Sequence, residues 1–336
     1  APVPIPAPSL NLRQTLALSL AAVALISVAA MVAIPLQDAD GGVLRVGYDG
    51  ANGHGYTSIG RVLIERGEIS LIGDPEQRYR EDPVRMLRAV RFAAKLDFDI
   101  EPKTAAPIRE LSDLLGLIPA ARLFEEVLKL FLGGYAQAVW PLLVEYELAR
   151  WLFPQSVPEV NNEPGMQAMI DLALRNTDHR LAQGKPVTPA FLLAVLLWGP
   201  LQMAWKKEQE KGTHATPALQ KAIQKVISEQ TQSTSIPKRF GIPMREIWEL
   251  QGRLAQRSLK RCESLVQHPR FRAAYDMLLL REEAGEIEPG LGQWWTQYQE
   301  ADAEERANLC QSLGGSNKPR RRRRYKNRRR STPPNP

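Results

Sequence analysis

Three residues in the first third of the chain have the types and spacing to read a nucleobase. Glu81 and Asp82 stand side by side, Pro83 follows, and Arg85 lies three positions after Asp82. A carboxylate accepts from an exocyclic amine while a guanidinium donates to a ring nitrogen, and that pair of roles matches the pairing edge of adenine. Asp82 before Pro83 reads as a helix start, with the carboxylate at the N-cap and proline preset at the first helical position. Glu81, Asp82 and Arg85 then meet at one helix N-terminus, where free backbone donors already favour directed hydrogen bonds. The same residue types also suit a plain N-cap with i, i+3 ion pairs on a solvated helix, and on residue types alone that is the commoner arrangement.

Other constellations are weaker. Asp38 and Asp40 have the i, i+2 spacing that lets two strand carboxylates share a face around Mg²⁺, but they sit among glycines in a loop-like stretch, and one pair supplies few ligands. No Walker lysine and no G-x-G-x-x-G occurs between Asp38 and Gly60, so two Gly-rich hairpin turns are the expectation there. Arg122 and Glu126 are spaced i, i+4 and are neighbours on one helix face. The histidines (His54, His179, His214, His268) are scattered, and the two cysteines, Cys262 and Cys310, form no metal-ligand spacing. One bridge could not staple a chain this size, so a reducing cytoplasm is the expected compartment. The sequence assigns no catalytic residue and no metal ligand.

The elements that must hold these residues are mostly helices. Val62–Ile64 and Glu68–Ile72, joined through Arg66 and Gly67, read as a short hairpin that Gly73-Asp74-Pro75 ends. After Pro83, Val84, Leu87, Val90 and Ala94 follow the 3–4 spacing of a core face, with Arg85 and Arg88 on another face and Arg91 paired in spacing with Lys95. Further on, Leu123, Val127, Leu130 and Phe131, then Leu142, Leu143, Tyr146 and Leu148, keep the helical period. Gly133-Gly134, Pro154, Pro186, Pro200 and Pro243 are expected to divide the helices. Leu192–Trp198 reads as a buried helix, and Arg253–Cys262 as a basic helix face suited to an RNA path or to solvent.

Charge is unevenly placed. The 336 residues carry 44 Lys+Arg against 37 Asp+Glu, a formal +7. Lys318, Arg320, Arg321, Arg322, Arg323, Arg324, Lys326, Arg328, Arg329 and Arg330 supply ten positive charges in one run without an acid, and without them the chain would stand at −3. Such a run is disordered by composition, attracts phosphates without regard to sequence, and carries Tyr325 to stack on a base; a solubility or localisation tail is the plainer use. At the other end Ala1–Pro8 alternates proline with small residues. Gln14–Gln37 then runs 24 residues without a charge, enough for one membrane span; a signal peptide, a buried helix and an artefact of gene calling are the alternatives.

The stretch RYREDPVRMLRAVRFAAKL closely resembles the neck helix of the bacterial poly(A) polymerase and CCA-adding nucleotidyltransferase family. The likeness continues through Ile118-Pro-Ala-Ala into Arg122-Leu-Phe-Glu-Glu126-Val-Leu-Lys129, which looks like the family's R-x-x-x-E element. Leu174–Asp178, Thr188–Phe191, Ile236–Arg239, His268–Asp276 and Trp294-Trp295 resemble the poly(A) polymerase branch. The resemblance implies that Asp82 and Arg85, supported by Glu81, contact the incoming nucleotide base, that Arg122 and Glu126 are scaffold, and that Arg88, Arg91 and the tail bind RNA. It implies RNA 3′ ends and ATP as partners, with ATP and Mg²⁺ used by the family and no cofactor held by this chain itself.

The likeness fails from the connector backwards. Gly60-Arg-Val-Leu-Ile-Glu-Arg-Gly67 fits the spacing of the family's G-x-x-D-L-x-x-G, but Leu63 stands where the aspartate should be. Neither the V-R-D nor the G-x-D-x-D element of the family's metal-binding head is found in the sequence. The fold class expected is therefore mainly α: a multi-helical neck and body array with a short β-hairpin before it, a disordered basic tail, and no recognisable catalytic head. The expected organisation runs as a Pro-rich segment (1–13), a hydrophobic helix (14–37), a Gly-rich segment (38–59), a connector hairpin (60–75), a neck (76–153), an RNA-binding body (154–311) and an Arg-rich tail (312–336). The function expected is the RNA- and ATP-base-binding part of an enzyme that adds AMP to RNA 3′ ends, inactive alone and cytoplasmic. The alternative is a non-catalytic RNA-binding remnant, membrane-tethered through residues 14–37 if that run is a true span.

Overall fold

The computed structural model describes residues 43–45, 61–63, 67–71, 73–157 and 164–312. The expected Pro-rich segment, the hydrophobic run 14–37, the Asp38/Asp40 pair and the arginine run lie outside the described residues. Among the described residues no helix is long and apolar enough to cross a membrane.

The hairpin forms and is part of a larger sheet. Strand β2 (Arg61–Leu63) pairs antiparallel with β3 (Glu68–Ser70), setting Val62 opposite Ile69. Gly67 makes the return at φ +63°, a conformation glycine adopts without steric cost. Strand β1 (Val43–Arg45) adds to the free side of β2, in the segment read from sequence as turns. Beyond β3 lies β4 (Asp99–Ile100), parallel to it, with the Asp99 amide donating to the Gly67 carbonyl at 2.8 Å. Two residues give no periodicity to read, so β4 is invisible in sequence.

The β3-to-β4 crossover carries two helices, α1 (Pro75–Glu81) and α2 (Val84–Leu96). Asp74-Pro75, which ends the hairpin, also starts α1: the Asp74 carboxylate accepts from the Gln77 amide at 2.8 Å. Asp82 is extended at φ −147° and breaks α1 from α2, but its carboxylate does not cap α2 as the sequence suggests. It is drawn away by arginines, described below. Helix α2 is buried on most of its circumference. Val84, Leu87 and Val90 form the expected core face, and Arg85, Met86, Ala89 and Ala93 are buried as well. The cause is its central position, with α1, the sheet, α4 (Ala120–Phe131) and α5 (Ala136–Glu145) all packed on it. Leu87 is fully buried, so its truncation to alanine costs about 2–5 kcal/mol.

Helix α3 (Pro102–Glu110) and the 3₁₀ turn Ser112–Leu117 lead into α4. Phe131, Trp140 and Phe153 then meet at ring centroids 6.1–6.4 Å apart, the last just after the short α6 (Ala149–Leu152). Asp178 on α7 (Pro164–Ala182) caps α5 from a distance, accepting from the Ala136 and Gln137 amides at 2.8 and 2.9 Å. Helices α8 (Pro189–Leu196), α9 (Trp198–Glu210) and α10 (Ala215–Ser233) follow. Residues 192–198 are all buried as expected, although the helix breaks at Leu197. Pro200 and Pro243 do not divide helices. Pro200 occupies the first turn of α9, where a backbone donor has no partner to lose, and Pro243 lies within α11 (Lys238–Leu254).

The chain divides into two compact units between Arg245 and Glu246, so the neck and the first part of the body, separated at 153/154 from sequence, share one unit. The second unit holds α12 (Leu259–Val266), α13 (Phe271–Glu283), α14 (Leu291–Glu300) and α15 (Ala303–Ser312). Its core gathers Leu254, Cys262, Phe271, Tyr275, Trp294, Trp295 and Tyr298. Arg253–Cys262 is not one helix face: the helix ends at Leu254, whose carbonyl accepts from Trp295 Nε1 at 3.0 Å, and resumes at Leu259.

Candidate nucleotide-base site

The α1–α2 junction brings Glu81, Asp82 and Arg85 to one place, but not as a free trio at a helix N-terminus. Arg85 is a buried arginine, its side chain 7% exposed. Its Nη1 donates to the Arg78 carbonyl at 2.6 Å and to Glu81 Oε2 at 3.0 Å. The same Glu81 oxygen accepts from Arg78 Nη1 at 2.8 Å. Glu81 is thus held between two guanidinium groups. Arg85 first and Arg78 with it keep the Glu81 carboxyl below the usual glutamate range.

Asp82 is held from the other side. Oδ1 accepts from Arg122 Nη2 at 2.8 Å, and Oδ2 lies 3.6 Å from Arg88 Nη1. Its side chain is 13% exposed. Arg122 comes from α4, forty positions later in the chain, so a tertiary contact fixes the carboxylate that the sequence placed at an N-cap. The expected Arg122–Glu126 face is real as spacing, yet the two turn apart: Arg122 reaches Asp82, while Glu126 is buried and accepts from Lys129 at 2.8 Å. Arg88 faces Asp82 and is half-buried, and Arg91 lies with its guanidinium 5.0 Å from the Phe92 ring centre. An open concavity of about 460 Å³ runs along the outer side of α1, lined by Asp74, Glu76, Gln77, Arg80 and Glu81. Of the trio only Glu81 reaches it.

Chemically, the junction offers one carboxylate fixed as an acceptor and one guanidinium fixed as a donor, on adjacent turns. Sequence reasoning missed Arg78. The signal was present in Asp74-Pro75, which marks α1 as a helix and so places Arg78 three residues before Glu81 on one face. Among the described residues no group of three or more His, Cys, Asp or Glu is placed to hold a metal ion.

Known proteins share this region. Residues 97–159 match the family model described as "Probable RNA and SrmB- binding site of polymerase A", and residues 211–330 match "Polymerase A arginine-rich C-terminus". Poly(A) polymerase I of Salmonella typhimurium is 45% identical over 266 residues, 77% of this chain. The chain belongs to the bacterial poly(A) polymerase family. It covers 57% of that relative's length, and 60% of poly(A) polymerase I of Haemophilus influenzae, which is 38% identical over 276 residues, 80% of this chain. The CCA-adding enzyme of Pediococcus pentosaceus is 49% identical over only 71 residues, 21% of this chain and 18% of its own. The long match thus follows the poly(A) polymerase branch, as the motifs from Leu174 onward imply. A third model, the "MltA specific insert domain", matches residues 29–79. It spans the connector in which Leu63 departs from the poly(A) polymerase pattern, and it ends just before Glu81.

Proposed function

We propose that the chain from Gly60 onward is the RNA- and adenine-base-binding part of a poly(A) polymerase, an enzyme that adds AMP residues to RNA 3′ ends. The carrying observation is the pair of fixed groups at the α1–α2 junction: Asp82 held as an acceptor by Arg122 and Arg88, Arg85 held as a donor by Glu81 and Arg78. A carboxylate acceptor and a guanidinium donor are the group types that the amine and ring nitrogen of adenine call for. RNA is the second partner. The run Lys318–Arg330 supplies ten positive charges for phosphates, and Tyr325 an aromatic face for a base.

ATP and Mg²⁺ are the family's cosubstrate and metal. Among the described residues no carboxylate set is placed for Mg²⁺, and the inactivity of this chain alone is part of the proposal. On this reading it binds RNA and discriminates the base without extending the strand, in the cytoplasm where both ligands are found. The test is to incubate the purified chain with Mg²⁺, ATP and a labelled oligoribonucleotide, and to measure RNA and ATP binding alongside. Binding of both without extension is expected. Extension of the primer overturns the prediction of inactivity, and failure to bind RNA overturns the assignment itself.

A further inference from the structure

Arg78 lies outside the E-D-x-x-R motif, yet both acceptors of Arg85 Nη1 depend on it. One is the Arg78 main-chain carbonyl at 2.6 Å. The other is Glu81 Oε2, the oxygen that Arg78 Nη1 itself holds at 2.8 Å. With the Arg85 side chain 7% exposed, these contacts rather than water decide where its guanidinium points. The Nε donors of both arginines are buried without an acceptor. Idle buried donors are costly and rare in folded proteins, and two flanking one carboxylate leave local hydrogen-bonding capacity for an incoming acceptor.

The geometry also shows what Arg78 prevents. A carboxylate facing one guanidinium closes on it through two parallel bonds, the strongest arrangement open to the pair. Here Glu81 meets Arg85 through Oε2 alone, and Arg78 bonds the same oxygen. We infer that Arg78 is a positioning residue for base recognition: by sharing Glu81 Oε2 it keeps that carboxylate from closing on Arg85, and so leaves Arg85 donors for the ring nitrogen of adenine. The inference rests on the reading of Asp82 and Arg85 as the adenine reader.

The test compares ATP and GTP, whose pairing edges carry opposite donors and acceptors, by competition binding to the full chain. Arg78→Ala is expected to lower the preference for ATP over GTP roughly tenfold, the scale of one charged hydrogen bond, with GTP affinity little changed. Arg78→Lys keeps a cation on Glu81 and should retain most of the preference. The double variant R78A/E81Q, which removes the charge that closes on Arg85, should recover it. Equal losses for both nucleotides, without recovery in the double variant, overturn the inference and leave the base reader standing. No ATP preference in the unmodified chain overturns both. If R78A does not fold, Arg78→Gln compared with Arg78→Lys carries the same contrast.

Discussion

Asp82 and Arg85 are three positions apart and are held in opposite ways. Arg85 is buried and fixed by its own neighbourhood, through Glu81 four residues back and the Arg78 carbonyl seven residues back. Asp82 is fixed from afar, by Arg122 on a helix forty positions later, with Arg88 on the same helix as Arg85. The donor half of the site is therefore as stable as the α1–α2 corner itself. The acceptor half exists only once α4 has docked on α2. A base reader built this way has its guanidinium held by contacts within one corner and its carboxylate held by a contact between distant elements.

The largest expected effect separates base reading from phosphate attraction. Deleting Lys318–Arg330 removes ten positive charges. RNA affinity at low salt should fall by roughly two orders of magnitude, and the log–log salt slope should flatten by several units, at about 0.7 per phosphate contact on a single strand. The ATP-over-GTP preference should not move. If it moves with the tail, the two halves of the α1–α2 site are not the reader.

Arg85 comes next. Arg85→Met keeps the buried volume but leaves the Arg78 carbonyl without this donor and Glu81 with Arg78 alone. A loss of about 1–3 kcal/mol in unfolding free energy is expected, read from urea titration, together with loss of ATP preference. A stability change below about 0.5 kcal/mol, the range of ordinary surface substitutions, would falsify the claim that Arg85 is locked by α1.

The difference between the halves also explains what the sequence could show. The helical period of α2, the hairpin and the buried run 192–198 are local or repetitive signals, and each is found in the structure. Arg85 at the corner was legible for the same reason. Its burial was not, because Val84, Leu87 and Val90 alone account for a one-sided core face, and only the packing of α4, α5 and the sheet around α2 closes the other sides. The Asp82–Arg122 bond could not be read from spacing, since nothing local links positions forty apart. Arg122 and Glu126 looked like partners because i, i+4 places them together; competition from Asp82 and Lys129 separates them. Strand β4, two residues long, has no pattern to read.

Arg122→Ala tests the acceptor half. The guanidinium is 44% exposed against 13% for Asp82, so solvent weakens the pair and stability should drop by no more than about 1 kcal/mol. ATP preference should nevertheless fall, because Asp82 then follows Arg88 alone. A variant as destabilised as Arg85→Met would mean that the acceptor half is no less integral to the fold than the donor half, and the comparison would dissolve.

The smallest effect is a pH dependence confined to the donor half. Arg85 and Arg78 lower the Glu81 carboxyl relative to an ordinary glutamate. The unfolded chain then binds the proton first as acid is added, so stability rises with pH in that range. The Glu81 contribution is complete above the ordinary glutamate pKa and is lost as pH falls through the depressed folded value. Urea midpoints of the unmodified chain and of Glu81→Gln should run parallel at neutral pH and converge in acid, with the gap closing only below the ordinary glutamate range. A gap between the two chains that persists unchanged into acid would show that Glu81 acts through its shape rather than its charge, and the electrostatic account of the donor half would have to be replaced.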